Sequence, residues 1–341
     1  MIAWAAIIGP LARVVAMYAA VRALGGGPVV AAGVAAVLAV ASPVWESMTS
    51  GRVPEEVTPE LSVSVALVIA LAIRGRHPVR LGLLGGLGTT ALLMTHTYDA
   101  LFAAGLTLAF LVVLRGRFSL RAVVAVAVAA AAIVAIAPFG TAILGANVER
   151  IQVLPRNLNH LGASVRYWVL DVNRYVLFGW PAPGSTTDRL HTAPVQIALW
   201  LTIVCLLASP LCLLLRPLRW ARPWLAVGIF WTGIGIGTSY SGSAASIHLA
   251  GLWYGIAQRL RLMIFPVYGV LIVADGCGIG LCLSTLTSAV ARRTRPGSGL
   301  IRSTAAISAL AIVLPLAFGA VPSSQVPVRN ALAVRTAQGS T

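Results

Sequence analysis

Long apolar stretches alternate with short polar connections along most of this chain of 341 residues. A helix that crosses the hydrocarbon core of a bilayer needs about 20 apolar residues, within a range of roughly 17 to 25. Windows of that length predict helices near residues 2–23, 28–44, 57–73, 81–95, 99–114, 122–138, 194–214, 224–240, 262–284 and 304–321. The pattern therefore predicts an all-α, polytopic integral membrane protein with about ten transmembrane helices.

The connections between the predicted helices are short on the side that we interpret as internal, and they differ in length on the opposite side. We expect one multi-span domain over residues 1–321, followed by an external tail over residues 322–341. The three longer connections, residues 44–58, 139–193 and 241–261, all fall on the side that we interpret as external. Long ordered loops usually carry function, so candidate chemistry is expected on the outer face.

Charge gives the predicted orientation, because cytoplasmic connections of membrane proteins retain positive charge. One alternating set of connections carries arginine without any carboxylate: Arg22, Arg74, Arg76, Arg80, Arg115, Arg117, Arg121, Arg216, Arg219, Arg222, Arg292, Arg293, Arg295 and Arg302. The opposite set contains most of the acids: Glu46, Glu55, Glu56, Glu60, Asp99, Glu149, Asp171 and Asp188. The arginine set is therefore predicted to be internal, and both termini external.

Composition agrees with a multi-pass protein of the cell membrane, since 58% of the residues are hydrophobic and 10% are charged. The net charge of +16 comes from arginines that flank predicted spans and do not form a single basic face. We therefore expect the lipid bilayer, with its anionic lipids, as a partner, and no nucleic acid.

Carboxylates crowd the first outer connection, where Glu46, Glu55, Glu56 and Glu60 lie close together. A carboxylate can deprotonate an acceptor hydroxyl in sugar transfer, and a pair of carboxylates can hold a divalent cation. Glu55 and Glu56 are our candidates for a catalytic base. The alternative is a solvated acidic loop. No ligand spacing is diagnostic, so no metal site and no cofactor are predicted.

The fourth and fifth predicted helices are separated by the polar sequence from Thr95 to Asp99. A polar cluster between two apolar segments predicts a hairpin at the outer surface. There, His96, Tyr98 and Asp99 could bind a polar substrate group or share a proton. A simple solvated turn is the alternative.

A third candidate region precedes the ninth predicted helix and contains Trp253, Tyr254, Arg259 and Arg261. Arginine binds phosphate bidentately, while Trp and Tyr can line the path of a lipid chain or stack on a sugar. The alternative is that these residues only anchor the chain at the headgroup level.

Two features inside the predicted spans concern contacts between helices: a series of glycines and one carboxylate. Glycines recur at Gly82, Gly85, Gly86 and Gly88, a spacing that allows helices to approach closely. Asp275 is the one carboxylate within a predicted span, and it must find a partner or water, because burial alone costs about 2.5 to 3.5 kcal/mol.

Three stretches together give a family resemblance: Trp45 to Pro59 with the sequence GRVPEEVTP, the hairpin GLLGGLGTTALLMTHTYDALFAAG, and the segment GLWYGIAQRLRL. The chain thereby resembles polytopic GT-C-type glycosyltransferases of the actinobacterial cell envelope, which take a lipid-phosphate-linked sugar on the outer face. The resemblance touches about a third of the chain.

The resemblance implies that Arg259 or Arg261 meets the donor phosphate and that the hairpin from His96 to Asp99 shapes an outer cavity. The family's catalytic acid normally lies in the first outer loop, after the first membrane helix, and this sequence shows no counterpart. We therefore expect either a further helix and its acidic loop upstream of Met1, or a truncated or diverged relative whose outer loops only bind a lipid-linked glycan or a partner enzyme.

The functional expectation is a membrane protein that handles a lipid-phosphate-linked sugar on the outer face, as a glycosyltransferase or a fragment of one. Its partners would be a lipid-linked sugar donor and a glycan or lipid acceptor. Two alternatives stay open: a transporter or flippase of a lipid or small solute, and a non-catalytic membrane scaffold.

Overall fold

The computed structural model describes residues 2–40, 53–95, 97–136, 165, 200, 203–241 and 256–290. These residues are helical apart from short connections, and no strand occurs among them, so the predicted all-α class is confirmed. The helices are α1 (Ile2–Ala23), α2 (Pro28–Val40), α3 (Val53–Ile73), α4 (Pro78–Thr95), α5 (Thr97–Val113), α6 (Leu120–Ile136), α7 (Leu211–Leu214), α8 (Arg222–Ser241) and α9 (Ile256–Val290).

Helix α3 begins at Val53, four residues before the start that hydropathy predicts. Pro54 and the carboxylates Glu55 and Glu56 fall in its first turn. Proline suits this position because the first turn needs no N–H donor, and acids there complement the helix dipole. The last residues of the predicted loop 44–58 are therefore helical.

The seventh predicted helix, over residues 194–214, is not continuous in its described part. Residues 203–207 are helical, a turn follows, and α7 begins after Pro210. Proline has no N–H to donate to a carbonyl four residues back, and its ring clashes with that carbonyl. The chain continues instead through hydrogen bonds to the carbonyl three residues back, as in a 3-10 helix. The Leu211 N–H donates to the Ala208 carbonyl, and the Cys212 N–H donates to the Ser209 carbonyl.

Two compact units are formed from discontinuous parts of the chain. The first unit comprises Met1–Val53, Asp171–Leu225 and Tyr268–Thr341, and the second comprises Pro54–Leu170 and Ala226–Val267. Helices α8 and α9 contribute residues to both units.

Glycines of α4 bring two neighbouring helices of the second unit to backbone contact. A Cβ atom on Gly86 would lie 2.6 Å from the Ala129 Cβ and 2.7 Å from the Val126 carbonyl oxygen, and one on Gly82 would lie 2.8 Å from the Ala125 Cβ. These distances leave no room for a side chain. Because the contacts advance in the same direction along both helices, α4 and α6 run parallel.

A neighbouring face of α4 packs against α3 through two further glycines. A Cβ on Gly85 would lie 2.5 Å from the Ile69 side chain, and one on Gly88 would meet the side chain of Val65. The glycine spacing in the sequence predicts close helix packing, and the structure confirms it on both sides of α4.

One cluster of apolar side chains joins α3, α4 and α5 near the hairpin between α4 and α5. Val65, Leu92 and Ala103 are buried there, with Leu61, Ile69 and Ala100 packed around them. On α8, Trp231 extends the packing of this unit, since its ring centroid lies 6.0 Å from that of Phe102.

The first unit has α1 packed against α2 through a turn that contains Gly25, where φ is +101°. Along α9, Gly269 and Gly278 admit large neighbours: a Cβ on Gly269 would lie 2.5 Å from Leu38 of α2, and one on Gly278 would lie 2.9 Å from Leu218. The core of this unit therefore forms where glycine lets α9 approach α2 and the segment around Leu218.

The outward faces of the helices are also apolar. Large aliphatic side chains are exposed on several helices, including Leu108 (67%) and Val112 (84%) of α5 and Val128 (57%) of α6. Threonine hydroxyls bond within their own helices: Thr90 donates to the Gly86 carbonyl at 3.1 Å and Thr107 to the Ala103 carbonyl at 2.8 Å. Helices that are apolar on all sides are typical of protein interiors and membranes.

One described stretch, Ile264–Leu283 of α9, is long and apolar enough by itself to cross a bilayer. The other apolar helical stretches are shorter: Pro28–Ala39, Leu61–Ile73, Pro78–Leu93, Asp99–Val113 and Leu120–Ala132. The number of ten spans stays a prediction.

The glycine contact makes a testable difference between two helical positions. Gly86→Ala forces a methyl group into the backbone of α6 and should destabilise the protein by about 1 to 3 kcal/mol. Gly233→Ala in α8 is the matched control, because nothing lies within 4 Å of a Cβ there. We expect a lower apparent melting temperature for the first variant alone. Equal melting temperatures would contradict the close approach of α4 and α6.

Candidate functional site

Charged residues segregate to opposite ends of the four-helix part of the second unit. The start of α3, the end of α4 and the start of α5 meet at one end, which we call the acidic end. It carries Glu55, Glu56 and Glu60 in the first turns of α3 and Asp99 in the first turn of α5. The starts of α3 and α5, which the sequence predicts on the same side, therefore lie at the same end of this unit.

Asp99 is fully buried, with no exposed surface. The hydroxyl of Ser62 in α3 donates to the backbone carbonyl of Asp99 at 3.3 Å, and this bond ties the two helices together. A solvated turn would leave the carboxylate in water, so that alternative is wrong for Asp99. The position of this carboxyl group near an end of the unit would suit a role in binding or proton transfer.

Glu55 and Glu56 lie in the first turn of α3, about 10 Å along the helix axis from Ser62. Tyr98 lies beside Asp99 in the first turn of α5. The backbone thus brings Glu55, Glu56, Tyr98 and Asp99 to the same end of one unit. His96 lies outside the described residues.

Arg259 and Arg261 fall within the first two turns of α9, immediately before the apolar stretch that begins at Ile264. The predicted outer segment 241–261 is thus helical from Ile256 onwards. Trp253 and Tyr254 lie outside the described part of the chain. The prediction that these four residues form one binding site stays a prediction.

The opposite end of the same helices carries the arginines, and we call it the arginine end. The connection after α3 and the connection after α5 lie side by side there, since the Ser119 N–H donates to the Ile73 carbonyl at 2.8 Å. The Arg74 guanidinium donates to the carbonyls of Leu111 and Gly116. Gly116, at φ +151°, lies directly against the Arg74 backbone, where a side chain would clash. Two connections that the sequence places on the same side are therefore joined.

A second polar cluster lies in the first unit around Asp275 of α9, which is fully buried. One carboxylate oxygen accepts a hydrogen bond from the Ser209 hydroxyl at 2.7 Å, and the other accepts one from the Cys212 thiol at 2.9 Å. The expectation that Asp275 finds a partner is confirmed. Cys212 is therefore a hydrogen-bond donor as well as a small apolar residue.

The break at Pro210 positions these donors. Because the chain turns between residues 207 and 211, Ser209 and Cys212 both reach α9. Arg222 then fixes the end of α7, since its guanidinium donates to the carbonyls of Cys212 at 3.1 Å and Leu213 at 2.6 Å. A serine next to proline inside an apolar span was the available sequence signal for this cluster.

Comparison with known proteins adds no further assignment. The chain matches no protein-family model, and no curated protein sequence or solved structure is significantly similar to it. Within the described ranges, no group of three or more His, Cys, Asp or Glu side chains is arranged to hold a metal ion. Arguments on function therefore rest on the two polar clusters, the arginine end and the apolar faces.

The hydrogen bond between Ser209 and Asp275 can be measured by a double-mutant cycle. Ser209→Ala should destabilise the protein by about 1 to 3 kcal/mol, because a buried carboxyl oxygen loses its donor. In an Asp275→Ala background, the same substitution should cost much less. Thr285→Ala is the control, since the Thr285 hydroxyl bonds to the Cys282 carbonyl on an exposed surface. Additive effects of the two substitutions in thermal unfolding would show that the pair is not coupled.

Proposed function

We propose that this chain is a multi-pass membrane protein that handles a lipid-phosphate-linked sugar at the acidic end of its second unit. The observation that supports insertion in a membrane is the separation of charge along α3 to α6. Acids gather at one end and arginines at the other, while the helix sides between them expose aliphatic residues.

The distance between the two ends fits a bilayer. Helices α3 to α6 contain between 17 and 21 residues. At 1.5 Å per residue they extend about 25 to 32 Å, and a hydrocarbon core is about 30 Å thick. Exposed Leu and Val on these sides would be unfavourable in water over so large an area but suit contact with lipid chains. The arginine end would then face the cytoplasm.

The chemical part of the proposal rests on the acidic end and on the resemblance to GT-C-type enzymes. A sugar acceptor needs a base for its hydroxyl, and Glu55 and Glu56, two of the carboxylates at this end, are the candidates. The departing lipid phosphate needs positive charge, which Arg259 or Arg261 would supply through bidentate hydrogen bonds. The acceptor proton would pass to the carboxylate as the bond from sugar to phosphate breaks.

A transporter or flippase is the second candidate, and the observation that favours it is Asp275. A carboxylate buried within the apolar part of α9, with hydroxyl and thiol donors, is a common feature of ion or proton pathways. In that function the same polar ends would bind a solute without breaking a bond in it.

The orientation can be tested with single cysteine substitutions at the two ends. Arg76→Cys at the arginine end and Glu55→Cys at the acidic end should differ in their reaction with a membrane-impermeant maleimide. We expect Glu55→Cys to react in intact cells and Arg76→Cys only after permeabilisation. The unsubstituted protein gives the background, because Cys205, Cys212 and Cys277 are buried and Cys282 is half-buried; Cys282→Ala removes this fourth thiol from both variants. Labelling of both positions in intact cells would refute the proposed topology.

The phosphate-binding role is tested by Arg259→Ala/Arg261→Ala. Loss of two charge-assisted hydrogen bonds, each about 1.5 to 3 kcal/mol, should lower transfer from a polyprenyl-phosphate sugar by a hundredfold or more. Arg219→Ala, an exposed arginine of the first unit, is the control and should keep full activity. Binding of polyprenyl phosphate is measured in parallel. Unchanged binding and transfer in the double variant would remove both arginines from the site.

Wild-type protein that translocates the glycolipid without transferring its sugar would favour the transporter. Reconstituted vesicles distinguish the two functions, since only transfer forms a new glycosidic bond.

A further inference from the structure

The arginine end of the second unit combines exposed cations with exposed apolar side chains. Arg76, Arg80, Arg115, Arg117 and Arg121 are all exposed, and the stretches 73–81 and 113–121 contain no acidic residue. Between these arginines, Val79 is 48% exposed, and Phe118 and Leu120 are each 67% exposed. We name this surface, formed by those eight residues, the basic platform.

Hydrogen bonds hold the platform in one shape. Arg74 is half-buried and bonds to the backbone of the second connection, and Ser119 bonds back to Ile73. Helices α4 and α6, which follow the two connections, are in glycine-mediated contact one turn further on. The backbone that carries the exposed arginines therefore needs little ordering, which lowers the backbone part of the entropic cost of binding an anion.

The partner must satisfy both kinds of side chain. Arginine guanidinium groups match phosphate oxygens, while Phe118, Leu120 and Val79 need an apolar environment beside that phosphate. Nucleic acid would satisfy the arginines but not the aliphatic residues. Behind the platform, the exposed apolar surface continues along α4 through Leu83, Leu84 and Leu87. A phospholipid has its phosphate at the membrane surface and its hydrocarbon chains behind it, which matches the arginines of the platform and the apolar side chains behind them.

We propose that the basic platform binds the headgroup phosphates of anionic phospholipids, with Phe118, Leu120 and Val79 inserted at the boundary with the acyl chains. This inference rests on the proposed insertion in a membrane. It goes further by assigning a lipid-binding surface to particular residues and by predicting selectivity for anionic over zwitterionic lipid.

The test is native mass spectrometry of the purified full-length protein with equal amounts of phosphatidylglycerol and phosphatidylcholine. Wild-type protein should retain more phosphatidylglycerol. One variant has Gln at all five arginine positions: Arg76, Arg80, Arg115, Arg117 and Arg121. Its ratio of bound phosphatidylglycerol to bound phosphatidylcholine should be about tenfold lower than that of the wild type, which corresponds to about 1.4 kcal/mol. Replacement of the same five residues by Lys is the matched control and should keep most of the preference, because the charge remains.

An unchanged ratio in the Gln variant would overturn the proposal, as would displacement of the lipid by inorganic phosphate or by a DNA oligonucleotide. If the Gln variant is not recovered folded, Arg115→Gln/Arg117→Gln replaces it, and a loss of selectivity is still expected. Carbonate extraction of membranes is measured separately. Release of the wild-type protein by carbonate would contradict the proposed function, whereas the lipid ratio alone decides the role of the platform.

Discussion

The contact between α4 and α6 is the constraint on which the second unit depends. Gly82 and Gly86 allow the backbones to touch, and the register of these contacts shows that the two helices run parallel and begin at the same end. The connections that lead into them, after α3 and after α5, are thereby brought side by side, and their arginines converge. A larger residue in α4 would separate the helices and also disperse the positive charge. Packing and charge distribution in this unit thus have one cause.

Much of the helical architecture follows from the sequence, because apolar windows and arginine-rich connections are local signals. The bounds of α1 and of α4 to α6 lie within a few residues of those predicted. The early start of α3 shows the limit of hydropathy, since Pro54, Glu55 and Glu56 are polar or rigid and yet suit a first helical turn. Pro210 was visible in the sequence as well, but a proline can either kink or end a helix, and hydropathy does not distinguish these outcomes.

Side-chain contacts between residues that lie far apart in the sequence could not be predicted in the same way. Asp275 required a donor, but Ser209 and Cys212 lie more than sixty residues earlier, and only the turn at Pro210 brings them to α9. Asp99 was expected at a polar surface, and its burial follows from the packing of α5 against α3, which no local pattern reveals. Of the candidate site residues, Glu55, Glu56, Tyr98 and Asp99 lie at one end of the second unit, and their role in a common site stays a prediction. Whether Arg259 and Arg261 join them depends on tertiary contacts that neither hydropathy nor charge counting can supply.

The length of α9 has a geometric consequence. With 35 residues, this helix extends about 52 Å, well beyond the thickness of about 30 Å for a hydrocarbon core. The apolar stretch Ile264–Leu283 accounts for 20 of these residues, so eight residues precede it and seven follow it. Pro266 lies at the start of that stretch, and because its nitrogen has no N–H to donate to the Leu262 carbonyl, the helix can bend there. Arg259 and Arg261 lie on the short segment before this proline, so in a bilayer their height above the acyl chains would depend on the bend at Pro266 as well as on the number of residues in the helix.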